Sequence, residues 1–148
     1  MKISVVIPTY NREEHLNNCL VSLLSQTKKP FEILVINNSD NSNAEKIINN
    51  LENQFKKQNV FLYCFKNLIN SGAVARNLGA SKAKGDLVAF LDDDVLLDTN
   101  YYEEIEKVFL EYPDALGVHG YDKLVNKAYK KMKNSFLYSL LEKFVKFF

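Results

Sequence analysis

The chain has 148 residues, 47% of them apolar and 25% charged, with a formal net charge of +1. That size and balance suit one soluble globular domain with a real core, and they exclude a chain drawn as a whole to nucleic acid. The opening MKISVVIPTYNR holds too short an apolar run for an export signal or a spanning helix, and Cys19 and Cys64 lack metal-ligand spacing and read as reduced core thiols. A cytoplasmic location is expected.

Taken in order, Ile3 to Ile7 is an apolar run closed by Pro8, which cannot donate to a ladder and so marks a strand end. After the loop Pro8-Thr9-Tyr10, Asn11 with Glu14 reads as a capping box. Leu16, Cys19, Leu20, Leu23 and Leu24 form the apolar stripe of a first helix. Past Pro30, Glu32 to Ile36 is a second strand, ending in the polar turn Asn37-Asn38-Ser39-Asp40. Ser42 with Glu45 repeats the capping box, and Ile47, Ile48, Leu51 and Phe55 give a second helix its buried face. Val60 to Phe65 predicts strand three. Asn70-Ser71-Gly72 opens a third helix that runs to about Lys84, small-residued on its inner side at Ala73, Ala75 and Ala80, with Gly85 as its stop.

The apolar run Leu87 to Leu91 fits a strand buried on both faces, and it stops at three consecutive carboxylates, Asp92, Asp93 and Asp94. Alternation along an extended chain sends Asp92 and Asp94 to one side and Asp93 to the other. Asn100 with Glu103 caps a helix carrying Ile105, Phe109 and Tyr112, and Ala115 to His119 reads as one more short strand.

Strand alternating with helix predicts an α/β fold, a mainly parallel sheet with helices on both faces. Ligands bind such sheets at the carboxyl ends of strands, where strand order reverses. The polar loops Pro8 to Arg12, Asn37 to Asp40 and Asp92 to Asp94 each follow a strand, so all three gather on one edge. Residues 1–120 are expected to form that domain and 121–148 a helical appendage. In the appendage Phe136, Leu137, Leu140, Leu141, Phe144, Val145 and Phe148 make an apolar face beside Lys130, Lys131, Lys133, Lys143 and Lys146. That pattern predicts packing on the chain's own sheet, self-association, or peripheral contact with an anionic membrane.

Three adjacent carboxylates repel unless a cation or a donor-rich ligand neutralises them. Mg²⁺ or Mn²⁺ held by one or two of them would suit a diphosphate, whose oxygens complete the shell of a hard cation. An acidic turn in solvent is the alternative. Arg76, on the first turns of the third helix, reads as an anion contact or as a solvated arginine. Tyr10 reads as a stacking platform for a base or as half-buried packing. Asn37 reads as a hydrogen-bonding group for a base edge or as a turn former.

VVIPTYNR at 5–12, EILVINNSD at 32–40, NSGAVARNLG at 70–79 and GDLVAFLDDDV at 85–95 resemble, in order and spacing, the motifs of family 2 glycosyltransferases. The resemblance implies a GT-A fold, a nucleotide-sugar donor such as a UDP-sugar, a divalent metal, and inverting transfer to a glycan or lipid-linked acceptor in cell-envelope or other glycan biosynthesis. Carried over by position, Pro8, Thr9 and Tyr10 line base and ribose, Arg12 lies near that wall, and Arg76 contacts the nucleotide. Asp92 and Asp93 hold the ribose and sugar side, Asp94 is the metal ligand closing the DXD motif, and Asp92 assists it.

Two departures follow. Asn37 stands where the family has an aspartate that accepts from the base, which predicts looser base choice. The family's general base lies about 100 residues beyond the DXD motif, whereas 54 residues follow Asp94, so the match covers the donor half. A non-catalytic half-domain that binds nucleotide, or that supports a partner through its basic tail, is the alternative, and a haloacid-dehalogenase-type phosphatase a more distant one.

Overall fold

Four runs rich in Val, Ile, Leu and Phe form strands: β1 (Ile3–Thr9), β2 (Glu32–Asn37), β3 (Phe61–Lys66) and β4 (Leu87–Phe90). Between and after them lie α1 (Glu13–Leu24), α2 (Asn43–Lys57), α3 (Gly72–Lys82) and α4 (Tyr101–Glu111). The computed structural model describes residues 1–120, so the appendage expected over 121–148 lies outside the described residues. Within these, Met1–Pro113 forms one compact unit. Asp114 to Gly120 is mostly exposed and carries neither helix nor strand, so the strand expected over Ala115 to His119 is absent. That run has Gly117 at its centre, and its strand signal is weak without a neighbouring ladder.

The strands are all parallel, in the order β3-β2-β1-β4. Parallel neighbours need crossovers, and the helices supply them on both faces. Val5, Ile7, Ile33 and Val35 point to one face, where α1 and α2 add Leu16, Leu20, Leu23, Ile48, Leu51 and Phe55 and α4 adds Tyr102. Val6, Leu34 and Ile36 point to the other, covered by Ala75 and Leu78 of α3. The sheet is thus sandwiched as alternation requires.

Three local expectations change. β4 is the edge of the described sheet, pairing only with β1, and Val88 and Phe90 are 40% and 52% exposed. An apolar run shows that a strand is buried when paired on both sides; it does not supply the second neighbour. The three expected capping boxes do not form: α1 begins after Arg12, and neither Ser42 nor Asn100 makes a side-chain cap bond. Asn11 instead takes φ of 51°, a left-handed turn that Asn tolerates, and donates its N–H to Ser39 Oγ at 2.7 Å. Among the described helices only α3 has a side-chain cap, Ser71 Oγ accepting from the Val74 N–H.

Gly85 does not end α3, which closes at Ala83. It lets the chain pass beside β1, because a Cβ there would lie 2.7 Å from the Lys2 carbonyl oxygen. Buried Glu32 fastens the same corner, accepting from Ser4 Oγ at 2.7 Å and from the Lys84 N–H at 2.6 Å. The close seat of α3 depends on Gly79, where a Cβ would run into the Val6 side chain at Cγ1. Gly79→Ala is expected to overpack this contact and to cost about 1–3 kcal/mol in urea denaturation, whereas Gly117→Ala, with nothing within 4 Å of the added carbon, leaves the midpoint unchanged.

Candidate functional site

The chain runs from β1 outward through β2 to β3, then returns to the far side of β1 to form β4. Strand order therefore reverses between β1 and β4, and the crevice outside their carboxyl ends is the place where such a sheet admits a ligand. A pocket of about 360 Å³ lies there, lined by Pro8, Thr9, Tyr10 and Arg12 after β1, Asn38 after β2, Asn70, Gly72 and Arg76 at the start of α3, and Asp92, Asp93 and Asp94 after β4.

The acids divide as expected in exposure, but in the turn that follows β4 rather than by alternation along an extended strand. Asp93 is 5% exposed, while the side chains of Asp92 and Asp94 are 57% and 47% exposed. Inward-turned Asp93 accepts from Thr9 Oγ1 at 2.8 Å through one oxygen and from Arg12 Nη1 at 3.3 Å through the other. The same Nη1 lies 2.9 Å from Asp94 Oδ2. Arg76 Nη2 pairs with Asp92 Oδ1 across the pocket. Each carboxylate is thus held by an arginine, which answers their mutual repulsion.

Hydrogen bonding to Asp93 raises the pKa of the Arg12 guanidinium further, and the Asp93 and Asp94 charges add to it. Behind the triad, burial first and then the charges of Asp93, Asp94 and Asp92 push the Cys19 thiol up to about 12. Cys19 therefore stays protonated, and both cysteines are free thiols, as the sequence suggests.

Pro8, Thr9, Tyr10, Arg12, Arg76 and the triad come together in one pocket, with Tyr10 48% exposed on its wall. Asn37 does not join them. It is fully buried, its Oδ1 accepting from the Ser39 N–H at 2.8 Å and its Nδ2 donating to the Asn41 carbonyl at 3.0 Å and to Glu45 at 3.2 Å. Both ends of its amide are engaged by the turn and by α2, and the side chain does not line the pocket. The neighbour Asn38 lines the pocket instead. Its Oδ1 accepts from Asn67 Nδ2 at 2.6 Å, and that nitrogen also donates to the Ile69 carbonyl at 2.6 Å. With the oxygen so engaged, the Asn38 NH₂ is the end left to meet a ligand. The signal for Asn38 was alternation at the end of β2, which sends neighbouring side chains to opposite faces.

Asn70 and Gly72 also line the pocket without having been singled out as contacts. Gly72 lies beside the Arg76 guanidinium, since a Cβ there would sit 3.2 Å from Arg76 Nη1, a distance a small movement of that side chain would relieve.

No group of three or more metal-ligating side chains converges among the described residues. The donor set nevertheless fits a hard divalent cation, because Mg²⁺ and Mn²⁺ take one or two carboxylates and fill the remaining positions with phosphate and water. Asp94 and Asp92, half-exposed at the pocket, are the residues that would hold it.

The sequence profile described as glycosyl transferase family 2 matches residues 4–148. Glycosyltransferase GlyA of Streptococcus pneumoniae is 32% identical over 121 residues, 81% of this chain and 17% of that protein. The poly(ribitol-phosphate) beta-N-acetylglucosaminyltransferase TarP of Staphylococcus aureus is 34% identical over 134 residues, 86% of this chain and 40% of that protein. Among solved structures, S. aureus TarS 1–349 in complex with UDP superposes with a TM-score of 0.65 at 25% identity, covering 81% of this chain and 38% of that one. The chain belongs to glycosyl transferase family 2, and its parallel sheet with flanking helices is the α/β fold of GT-A enzymes. It spans 17% and 40% of the two curated relatives described. Among the described residues, no helix is long and apolar enough to cross a membrane.

The site geometry separates two neighbouring acids. Asp93→Ala removes a buried carboxylate that ties Thr9 to Arg12, and is expected to cost about 1–3 kcal/mol of stability. Asp94→Ala, on a half-exposed side chain, should stay within about 0.5 kcal/mol. Paired urea melts check the order, and equal losses would contradict the assignment of Asp93 as the anchor.

Proposed function

We propose that this chain is the donor-binding part of a metal-assisted glycosyltransferase that moves a sugar, with inversion, from a uridine or similar nucleoside diphosphate sugar to an acceptor hydroxyl, releasing the nucleoside diphosphate. The observation that carries the reading is the pocket at the β1/β4 reversal, whose lining combines two arginines and three carboxylates with the neutral amides of Asn38 and Asn70 and the ring of Tyr10. A nucleoside diphosphate sugar has the matching parts, a charged diphosphate joined to a neutral, hydrogen-bonding base. The base goes to Asn38 and Tyr10, the diphosphate to Arg76 and Arg12, and the cation to Asp94 with Asp92. When bound, the cation supplies Lewis-acid stabilisation of the departing diphosphate. Support comes from S. aureus TarS 1–349, solved with UDP and with UDP-GlcNAc. The acceptor class we assign is a glycan, polyol-phosphate or lipid-linked hydroxyl of the cell envelope, in keeping with the poly(ribitol-phosphate) in the name of TarP.

One observation favours nucleotide binding without transfer by this stretch alone. The carboxylates that line the pocket among the described residues are Asp92, Asp93 and Asp94, and all three are paired with arginine. None is free to take a proton from an acceptor hydroxyl.

Isothermal titration with UDP, with and without Mn²⁺, tests the reading. Binding should strengthen with Mn²⁺, and Asp94→Ala should remove that increment while leaving metal-free binding in place. An unchanged affinity in Mn²⁺ for the variant would defeat the metal assignment. In an enzyme that includes the acceptor side, Asp94→Ala should lower kcat on the order of 10² or more. Because Asn38 offers a neutral amide rather than a carboxylate, competition among nucleoside diphosphates should show less than about 10³-fold preference for any base, and Asn38→Asp should change the ranking.

A further inference from the structure

We propose that Arg12 is an internal counter-ion for Asp94, one that a diphosphate draws away, so that the nucleotide and the divalent cation bind this pocket cooperatively. The inference rests on the nucleotide-sugar reading above and adds how the site prepares itself for two ligands of opposite charge.

The two carboxylates around Arg12 are held unevenly. Asp93 is buried and uses both oxygens, one on Thr9 Oγ1 at 2.8 Å and one on Arg12 Nη1 at 3.3 Å. It is fixed. Asp94 is 47% exposed, and among the described residues its contact is the single 2.9 Å bond to the same Nη1. It can turn. An ion pair between two half-exposed side chains is weak and easily exchanged. The guanidinium is itself 52% exposed and lines the pocket. Among the described residues only its Nη1 is engaged, so the N–H groups on Nε and Nη2 remain for a further acceptor.

Charge then orders events. Two arginines against three aspartates leave the pocket close to neutral, which suits neither ligand alone. A cation approaching Asp94 meets the guanidinium already there, and a diphosphate arriving without a cation adds repulsion from the triad. Planar guanidinium prefers a bidentate grip on phosphate oxygens. Once Arg12 turns to the diphosphate, Asp94 is left to a cation, which also neutralises the added phosphate charge. Each ligand removes the obstacle to the other, and by linkage the gain is reciprocal, typically about 5–150-fold.

The test reads Mn²⁺ binding directly, by electron paramagnetic resonance of free Mn²⁺, with no need for turnover. Without nucleotide, Arg12→Gln should bind Mn²⁺ on the order of tenfold more tightly than the unaltered protein, Arg12→Lys should resemble the unaltered protein because it keeps the charge, and adding Asp94→Ala to Arg12→Gln should abolish the gain. The increase in Mn²⁺ affinity caused by UDP, corrected for the Mn²⁺ that UDP holds in solution, should shrink in Arg12→Gln. Equal or weaker Mn²⁺ binding by folded Arg12→Gln, with Asp94→Ala still weakening binding in the presence of UDP, overturns the counter-ion role alone. Absence of Asp94-dependent Mn²⁺ binding in every variant, with UDP present, overturns the metal reading and this inference with it.

Discussion

The site depends on one buried carboxylate. Asp93 leaves β4 and reaches across the point where strand order reverses to take the Thr9 hydroxyl at the end of β1 and the Arg12 guanidinium at the head of α1. Those strands pair in register only from Ile3 with Leu87 to Val6 with Phe90. Beyond that ladder the Asp93 bonds tie the two strand ends together. Asp93 turns inward in the turn after β4, while Asp92 and Asp94 are more exposed and meet Arg76 and Arg12 at the pocket. The turn after β4 thus supplies both the anchor and the pair that faces the ligand.

The opposite end of the same two strands is fastened by different chemistry. Glu32, buried at the start of β2, gathers the Ser4 hydroxyl and the Lys84 amide, and Ser4 Oγ in turn accepts from the Gly85 N–H at 2.8 Å. Asp86 accepts from the Lys2 N–H at 2.7 Å. These bonds set where β4 begins, and hence where its carboxyl end arrives beside Thr9. A polar corner at one end and a carboxylate bridge at the other leave the apolar middle to pack without a role in ligand contact.

Much of this was legible in the sequence. Periodicity located every strand and helix of the compact unit, since the apolar stripe of α1 and the runs of β1 and β2 are local signals. The pocket loops were legible because each polar turn follows a strand. What failed was non-local or a matter of one residue. That β4 ends the described sheet depends on which strand lies beyond it, a fact its own residues do not carry. Asn37 and Asn38 are adjacent and chemically alike, and only the folded structure, which takes the Asn37 amide into bonds with Ser39, Asn41 and Glu45, shows which of them lines the pocket. Gly85 looked like a helix stop because glycine often is one. Its reason is the Lys2 carbonyl beside it, which lies too far back along the chain for any local window to connect the two.

The central claim is that nucleotide occupies the crevice at the β1/β4 reversal with its base at the Asn38 end. Backbone amide chemical-shift mapping during titration with UDP and Mg²⁺ tests it most directly. The account predicts shifts concentrated at Thr9 to Arg12, Asn38, Asn70 to Arg76 and Asp92 to Asp94, with the β3 edge at Phe61 and Tyr63 unmoved. Saturable shifts centred on that edge, with the strand-end loops silent, would contradict it.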